Sequence, residues 1–217
     1  MKFDAVIFDL DGTLADTLED LADAMNRVLS AAQAPAHSHA AYKRMIGKGI
    51  RNLVTAALPP ELRTEAAVAR TFEALLADYG EHCLVKTRLY PGIAELVREL
   101  RAGGVKLAVF SNKADALTRH MVDALFEAGS FEVVVGAQTG VPLKPDPTVA
   151  LRIAARLGVT PGRVAYLGDS DTDMLAATAA GMLAVGASWG FRPKRELVES
   201  GARVVLDRPL ELLGLYQ

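Results

Sequence analysis

Cysteine is almost absent from this sequence: Cys83 is the single one among 217 residues. One cysteine cannot form an internal disulfide, and it cannot by itself build a zinc or iron–sulfur site. This is typical of a reducing compartment, so we expect a cytoplasmic protein. A basic excess is also absent, because 24 Lys and Arg residues stand against 26 Asp and Glu residues, for a net charge of −2. This balance argues against a nucleic-acid partner, whose binding depends on neutralising many phosphates.

Long uninterrupted apolar segments are scarce. Asp4, Asp9 and Asp11 interrupt the amino-terminal segment, so it lacks the hydrophobic region of a signal peptide. Residues 174–191 carry no charge and approach the length of a membrane span. The three glycines among them favour a helix, a turn and a buried strand instead, and we expect no membrane partner. Hydrophobic residues still make up 51% of the chain, which is enough for a packed core and excludes a mainly disordered chain.

Short apolar runs recur along the chain and alternate with helical patterns in its second half. The runs are continuous, which favours strands buried on both faces of a parallel sheet. They lie at residues 5–8, 107–110, 133–135, 164–167, 183–185 and 204–206. The helical patterns lie at residues 93–101, 114–127, 147–157 and 171–180. This alternation predicts a doubly wound α/β fold, in which ligands bind at the carboxyl ends of the strands.

The segment after the first run breaks this rhythm, because we find no convincing strand from Asp16 to about His82. Helices are predicted there instead, at residues 18–29, 50–58 and 61–78. We therefore predict two domains. A helical domain over residues 16–83 is inserted into a discontinuous core formed by residues 1–15 and 84–217.

Two acids directly follow the first predicted strand. Asp9 and Asp11 are expected to project to one side at the carboxyl edge of the sheet, because side chains alternate along an extended chain. Two carboxylates this close repel each other unless one is protonated or a cation lies between them. Gly12 permits a sharp turn and a close approach of the backbone to a ligand. A solvated acidic loop is the alternative, but the position at the end of a buried strand favours a functional site.

Polar residues also follow the later strands. Ser111 begins the segment 111–113, which is expected to open the next helix, where a hydroxyl and backbone N–H groups can bind an anion. Lys144 precedes a proline, which favours an extended backbone at the lysine. Asp169 lies nearest the end of its strand and is the better candidate for a metal ligand, whereas Asp171 is expected to cap a helix. Taken singly, Ser111 could be only a helix cap and Lys144 only a solvated lysine.

Together these residues closely resemble the motifs of the haloacid-dehalogenase-like hydrolase superfamily. The matching residues, in chain order, are Asp9, Asp11, Gly12, Thr13, Ser111, Lys144, Gly168, Asp169, Ser170 and Asp173. The resemblance covers nearly the whole chain, and the combination of four motifs is far more specific than any one of them. It implies a Rossmann-like core with a mainly parallel sheet, and it implies that the inserted helices form a cap domain.

The resemblance further implies a Mg²⁺-dependent phosphatase. The metal ligands would be the Asp9 carboxylate, the Asp11 backbone carbonyl and the Asp169 carboxylate. Hard oxygen ligands of this kind suit Mg²⁺. Ser170 and Asp173 would lie behind these ligands, with Asp173 orienting Lys144.

The implied reaction is attack of Asp9 on phosphorus to form an aspartyl-phosphate, which water then hydrolyses. Asp11 would protonate the leaving alkoxide and later deprotonate that water. The phosphoryl oxygens would be held by the backbone of Gly12 and Thr13, Ser111, the Asn112 amide and Lys144. If Asp11 is protonated, the two carboxylates of Asp9 and Asp169 and the ammonium of Lys144 have a total charge of −1. Binding of Mg²⁺ would change this total to +1. The cation would therefore decide whether a phosphate dianion binds.

Residues 47–53 point to one branch of the superfamily, because Gly47-Lys48-Gly49-Ile50-Arg51-Asn52-Leu53 resembles the cap loop of phosphoglycolate phosphatases. The expected substrate is therefore 2-phosphoglycolate. Gly47 and Gly49 would let the loop approach the substrate closely. Lys48 or Arg51 would meet its carboxylate, although both could equally be solvated cations at a helix start.

Other functions stay open on sequence alone. Asp11 argues against the dehalogenases, which lack this second acid. The cap lysines Lys43 and Lys48 permit a phosphonatase, and the core motifs are shared with pyrophosphatases and with β-phosphoglucomutases. A catalytically silent module that binds a phosphorylated ligand is a different class. Such a module is expected to lack Asp9 or Asp11, and both are present.

Overall fold

The computed structural model describes residues 3–216. Its strands are β1 (Ala5–Phe8), β2 (Ala15–Asp16), β3 (Arg88–Leu89), β4 (Lys106–Ala114), β5 (Val133–Ala137), β6 (Val164–Gly168), β7 (Leu183–Ala187) and β8 (Val204–Leu206). Its α-helices are α1 (Leu18–Ala31), α2 (His39–Met45), α3 (Ile50–Ala57), α4 (Glu65–His82), α5 (Ile93–Ala102), α6 (Asp115–Leu125), α7 (Thr148–Leu157), α8 (Asp171–Ala179), α9 (Lys194–Glu199) and α10 (Leu213–Tyr216). Within residues 3–216, none of these helices has both the length and the apolar character needed to cross a membrane.

Six strands among residues 3–216 form one parallel sheet, in the order β5-β4-β1-β6-β7-β8. All six apolar runs identified in the sequence lie in this sheet. The central strand β1 is buried throughout and pairs with β4 on one side and β6 on the other. Separate apolar clusters contain its alternating side chains, Val6 and Phe8 in one and Ala5 and Ile7 in the other. The predicted doubly wound α/β fold is therefore confirmed.

The strand register brings three carboxyl ends together at one edge. Phe8, the last residue of β1, pairs with Val109 of β4 and with Leu167 of β6. The residues that follow these pairs in the chain are therefore neighbours in space. This edge of the sheet carries the polar residues singled out in the sequence.

The end of β4 differs from the prediction. The strand continues to Ala114, and α6 begins only at Asp115. Ser111 to Lys113 therefore lie on a strand, because the pairing of β4 with β5 resumes at Ala114 after an irregularity. The expectation that these residues open a helix is wrong, and no helix N-terminus is available there to bind an anion.

The start of α8 also differs in detail. Ser170 is the N-cap residue, and its N–H donates to Asp173 Oδ2 at 3.1 Å. Asp171, which was expected to cap the helix, is instead its first residue and forms an ion pair with Lys48 at 3.6 Å.

Helices α1 to α4 lie between β2 and β3, and we call residues 16–83 the helical insertion. β2 and β3 pair antiparallel where the chain enters and leaves it, which makes Asp16 part of an unexpected two-residue strand. Helix α2 has no apolar periodicity, since Tyr42 is its one buried residue, and the sequence pattern missed it. Helix α4 begins later than expected, because a short 3₁₀ turn precedes it and Thr64 caps it.

Candidate active site

Asp9 follows β1 directly and lines a cavity at the carboxyl edge of the sheet. It is only 6% exposed, and its Oδ1 accepts a hydrogen bond from Lys144 Nζ at 2.7 Å. Burial raises the pKa of Asp9 to about 7, because desolvation and the nearby acids Asp173 and Asp11 outweigh the lowering effect of Lys144. A further cation beside Asp9 would favour its carboxylate form.

Lys144 is held between two carboxylates. Its Nζ donates to Asp9 Oδ1 and Asp173 Oδ1 at 2.7 Å each, and to the Phe110 carbonyl at 3.1 Å. Burial alone would lower the pKa of Lys144, but Asp173 and Asp9 raise it well above its usual value, so the ammonium stays charged. Three acceptors use all three N–H groups. A phosphate oxygen can therefore bind Lys144 only by replacing one of them, and Asp173 is in place to orient the lysine.

Asp169 follows β6 and is enclosed by glycines. Its Oδ2 accepts the Phe191 N–H at 2.6 Å, and Thr13 Oγ1 donates to its Oδ1 at 3.4 Å. A Cβ atom at Gly12 would lie 2.2 Å from Asp169 Oδ2, and one at Gly190 would lie 2.3 Å from Asp169 Cβ. Burial, with repulsion from other acids, raises the pKa of Asp169 well above its usual value. Glycine is thus required at two positions to make room for a carboxylate that is costly to bury.

Asp11 is paired with a lysine that the sequence analysis did not assign to the site. Lys113 Nζ lies 2.6 Å from Asp11 Oδ1 and 2.8 Å from the Tyr79 hydroxyl of α4. Thr17 Oγ1 donates to the same Asp11 oxygen at 2.7 Å. Burial alone would lower the pKa of Lys113, but Asp11 and Tyr79 raise it, so the lysine stays charged. The sequence does hold a clue to this role of Lys113. Lys113 lies two positions after Ser111, and residues two positions apart on a strand project to the same side of the sheet.

A cavity of about 30 Å³ separates the sheet edge from the helical insertion. Its sheet side consists of Asp9, Asp11, Ser111, Asn112, Lys113 and Lys144, and its insertion side of Leu21, Ile46, Gly47, Gly49, Ile50 and Leu53. Residues of both the sheet edge and the helical insertion therefore surround any ligand that binds beside Asp9.

Two of the expected phosphate-binding residues lie on this cavity with different roles. Ser111 Oγ accepts the Lys113 N–H at 3.2 Å, and its hydroxyl hydrogen finds no acceptor within residues 3–216. The Asn112 side chain donates to the carbonyls of Gly47 and Lys144, both at 3.1 Å. Ser111 can therefore donate to a phosphate, whereas the Asn112 side chain ties the cap loop to the sheet edge and leaves only its backbone for that task.

The backbone of Gly12 and Thr13 does not face the cavity as expected. The Gly12 N–H donates to the Ala15 carbonyl at 2.9 Å, and the Thr13 N–H donates to the Leu10 carbonyl at 3.3 Å. Neither residue lines the cavity. These N–H groups close the turn after β1 because Leu14 and Ala15 fold back onto Leu10, and Gly12 and Thr13 lie against Asp169.

The two cations expected to meet the substrate are turned away from the cavity. The Lys48 side chain is 59% exposed and pairs with Asp171, and the Arg51 side chain is 51% exposed and pairs with Glu65. Helix α3 begins at Ile50 and directs that residue and Leu53 inward, so Arg51 falls on another face. Gly47 and Gly49 do line the cavity, both with positive φ, 110° and 87°.

Arg192 joins the core to the helical insertion, although the sequence analysis gave it no role. Its buried guanidinium donates to three carbonyls at the end of α2, those of Lys43, Arg44 and Ile46. The preceding residue, Phe191, binds Asp169 through its N–H. One loop thus connects an acid of the site to the insertion.

The acidic cluster fits a divalent cation. One oxygen from each of Asp9, Asp169 and Asp173 lies within 4.8 Å of the other two. Four carboxyl groups and the two ammonium groups of Lys113 and Lys144 give a formal charge of −2, or −1 when Asp11 carries the proton that an acid must donate. This count adds Asp173 and Lys113 to the groups considered from sequence. A divalent cation offsets the negative charge in either case, and carboxylate oxygens are the ligands that Mg²⁺ prefers.

Comparison with known proteins identifies the family. A family model for haloacid dehalogenase-like hydrolases matches residues 6–187. The chain belongs to the haloacid dehalogenase-like hydrolases. This hydrolase is 37% identical over 214 residues to the phosphoglycolate phosphatase of Rhodospirillum rubrum, an alignment that covers 94% of this chain and 86% of that protein. It is 35% identical over 219 residues to the phosphoglycolate phosphatase of Nitrosospira multiformis, covering 98% and 95% of the two chains.

A solved structure agrees over the whole length. The crystal structure of a predicted phosphoglycolate phosphatase from Haemophilus somnus superposes with a TM-score of 0.93 at 28% identity, covering 100% of this chain and 99% of that one. This haloacid dehalogenase-like hydrolase is therefore an enzyme, a phosphoric monoester hydrolase that acts on a small phosphorylated substrate. The resemblance to phosphoglycolate phosphatases inferred from its motifs is confirmed.

Proposed function

We propose that this phosphatase depends on Mg²⁺ and hydrolyses 2-phosphoglycolate through an aspartyl-phosphate on Asp9. The observation that carries the proposal is the buried Asp9 carboxylate on the cavity, with Lys144 on one oxygen and Asp169 and Asp173 within reach of a shared cation. The phosphoglycolate phosphatases of Rhodospirillum rubrum and Nitrosospira multiformis, which match nearly the whole chain, support the substrate.

The metal would be held by the carboxylates of Asp9 and Asp169 and by the backbone carbonyl of Asp11. When bound, Mg²⁺ supplies the positive charge that lets a phosphate dianion approach these acids. Asp173 and Ser170 keep Lys144 and the acids in position from behind. The Ser111 hydroxyl, the Asn112 backbone and Lys144 hold the phosphoryl oxygens.

Asp9 attacks phosphorus, and the bond from phosphorus to the substrate oxygen breaks as the new bond forms. Lys113 and Thr17 hold Asp11 Oδ1, so its other oxygen protonates the leaving alkoxide. In the second step Asp11 takes a proton from water, whose oxygen bonds to phosphorus as the bond from phosphorus to the Asp9 oxygen breaks, so that inorganic phosphate is formed and the Asp9 carboxylate is regenerated. Acid–base help of this kind contributes roughly 10²–10⁴-fold.

The helical insertion acts in this proposal as a cap domain over residues 16–83, with residues 1–15 and 84–217 as the catalytic core. The chain crosses between them through the paired strands β2 and β3. Opening admits substrate, and closure excludes water from the first step. The position of the cavity, with one wall from the sheet edge and one from the insertion, supports this motion.

The test is phosphate release from a panel of substrates, with Mg²⁺ and with EDTA. We expect the highest kcat/KM for 2-phosphoglycolate, lower values for pyrophosphate, a sugar phosphate and phosphonoacetaldehyde, and no turnover with EDTA. Asp9→Asn should abolish both turnover and the trapped phosphoenzyme. Full activity of this variant, or activity in EDTA, would overturn the mechanism, and a sugar phosphate as best substrate would favour mutase chemistry.

A further inference from the structure

The cavity contains one cation whose hydrogen-bonding capacity is incompletely used. Among the described residues that line it, the charged ones are Asp9, Asp11, Lys113 and Lys144, and none comes from the helical insertion. Lys144 already donates hydrogen bonds to three acceptors. Within residues 3–216, Lys113 donates to two, Asp11 Oδ1 and the Tyr79 hydroxyl. An ammonium group has three N–H donors, so one donor of Lys113 is left for a ligand.

The position of Lys113 relative to the leaving group indicates which part of the substrate can bind its free N–H. In the proposed reaction, Asp11 contacts the ester oxygen of the substrate at roughly 2.6–3.2 Å, and Lys113 Nζ lies 2.6 Å from Asp11. A group attached one carbon beyond the ester oxygen lies on the order of 3 Å from that oxygen by ordinary bond lengths. Because Lys113 binds Oδ1 and the ester oxygen contacts the other oxygen of the same carboxyl group, such a group reaches Lys113 when it extends along the Oδ1 side of Asp11.

The surroundings of Lys113 favour a negative charge in that position once Asp11 carries the proton it gives to the leaving group, because the ammonium is then not neutralised by Asp11. The Lys113 side chain is only 2% exposed, and the wall opposite is apolar, formed by Leu21, Ile46 and Leu53 with their neighbours. An ion pair in such a site is little screened by water, so it is stronger than at the surface. A neutral hydroxyl could accept the third N–H, but a carboxylate forms the stronger, charge-assisted hydrogen bond.

We propose that Lys113 is the specificity-determining residue of this enzyme and binds a carboxylate carried one carbon from the ester oxygen. Lys113 takes the role that the sequence suggested for Lys48 or Arg51, which lie outside the cavity. The inference rests on the proposed function and deepens it. It defines the substrates as small phosphate monoesters with a second anionic group close to the phosphate.

The experiment compares kcat/KM for 2-phosphoglycolate with kcat/KM for 2-hydroxyethyl phosphate, in which an alcohol replaces the carboxylate. For the wild-type enzyme we expect a ratio of roughly 10 to 100, the factor for one hydrogen bond between charged groups. Lys113→Met should lower this ratio toward 1. Lys194→Met is the control, since Lys194 is a surface lysine with a side chain 56% exposed, and it should keep the wild-type ratio.

Several results would overturn the proposal. Equal losses on both substrates in Lys113→Met would mean that Lys113 acts only by positioning Asp11. A loss of selectivity in Lys48→Met but not in Lys113→Met would assign the carboxylate to the cap loop. If Lys113→Met does not fold, the wild-type ratio alone decides, and a value near 1 rejects carboxylate recognition. Failure of the proposed function looks different, because the wild-type enzyme then hydrolyses neither substrate.

Discussion

The contact of Arg192 with the end of α2 makes cap closure open to a direct test. The guanidinium is buried in the closed arrangement and donates to the carbonyls of Lys43, Arg44 and Ile46. Arg192→Met keeps most of the apolar stem and removes every donor. The three carbonyls then lose their partner in the closed form, whereas water can satisfy them when the cap is open.

The magnitude follows from the number of bonds. Each hydrogen bond contributes a net stabilisation of about 0.5–1.5 kcal/mol, so three contribute about 3 kcal/mol to the closed form. At about 1.4 kcal/mol for each factor of ten, the ratio of closed to open enzyme falls by on the order of 100-fold. We expect kcat/KM to fall for every substrate, by at most this factor, because the chemistry requires closure.

Hydrogen exchange of residues 39–49 measures opening directly, and we expect it to accelerate in Arg192→Met in step with the loss of kcat/KM. Arg195→Met is the matched control, since Arg195 lies in α9, has a side chain 86% exposed and pairs with Glu199 on the same helix. It should behave like the wild-type enzyme. Exchange and kcat/KM within twofold of wild type in Arg192→Met would refute the view that this contact holds the cap closed.

Two further predictions concern the acids. Asp11→Asn should lower kcat by roughly 10²–10⁴-fold while the fold persists, as circular dichroism would show; an unchanged rate would reject the acid–base role. Asp169→Asn removes one of the crowded buried carboxylates, so the metal-free protein should melt roughly 2–4 °C higher, the shift for about 1 kcal/mol in a chain of this size. Mg²⁺ should raise the melting temperature of the wild-type protein and leave that of Asp169→Asn unchanged, and a stabilisation by Mg²⁺ equal in both would remove Asp169 from the metal site.

The sheet and the acids of the site could be predicted because their signals are local. An uninterrupted apolar run such as residues 5–8 can be buried on both faces only as a central strand, and Asp9 follows it directly. Helix α2 gave no such signal, since a single buried Tyr42 leaves no periodicity to detect. The continuation of β4 through Lys113 was missed because Ser111 and Asn112 are equally typical of a helix start.

The amino-acid sequence by itself determines the α/β fold, the helical insertion after β1 and the acids at the strand ends, because each depends on neighbours a few positions apart. Only the tertiary structure determines which charged side chains form contacts with one another. Lys113 neutralises Asp11 from 102 positions away and binds Tyr79 of the insertion, 34 positions away. It also decides that Arg51 faces outward and that Arg192 binds the end of α2. These contacts depend on how the insertion docks on the sheet edge, and burial there removes the water that would otherwise satisfy each charge separately.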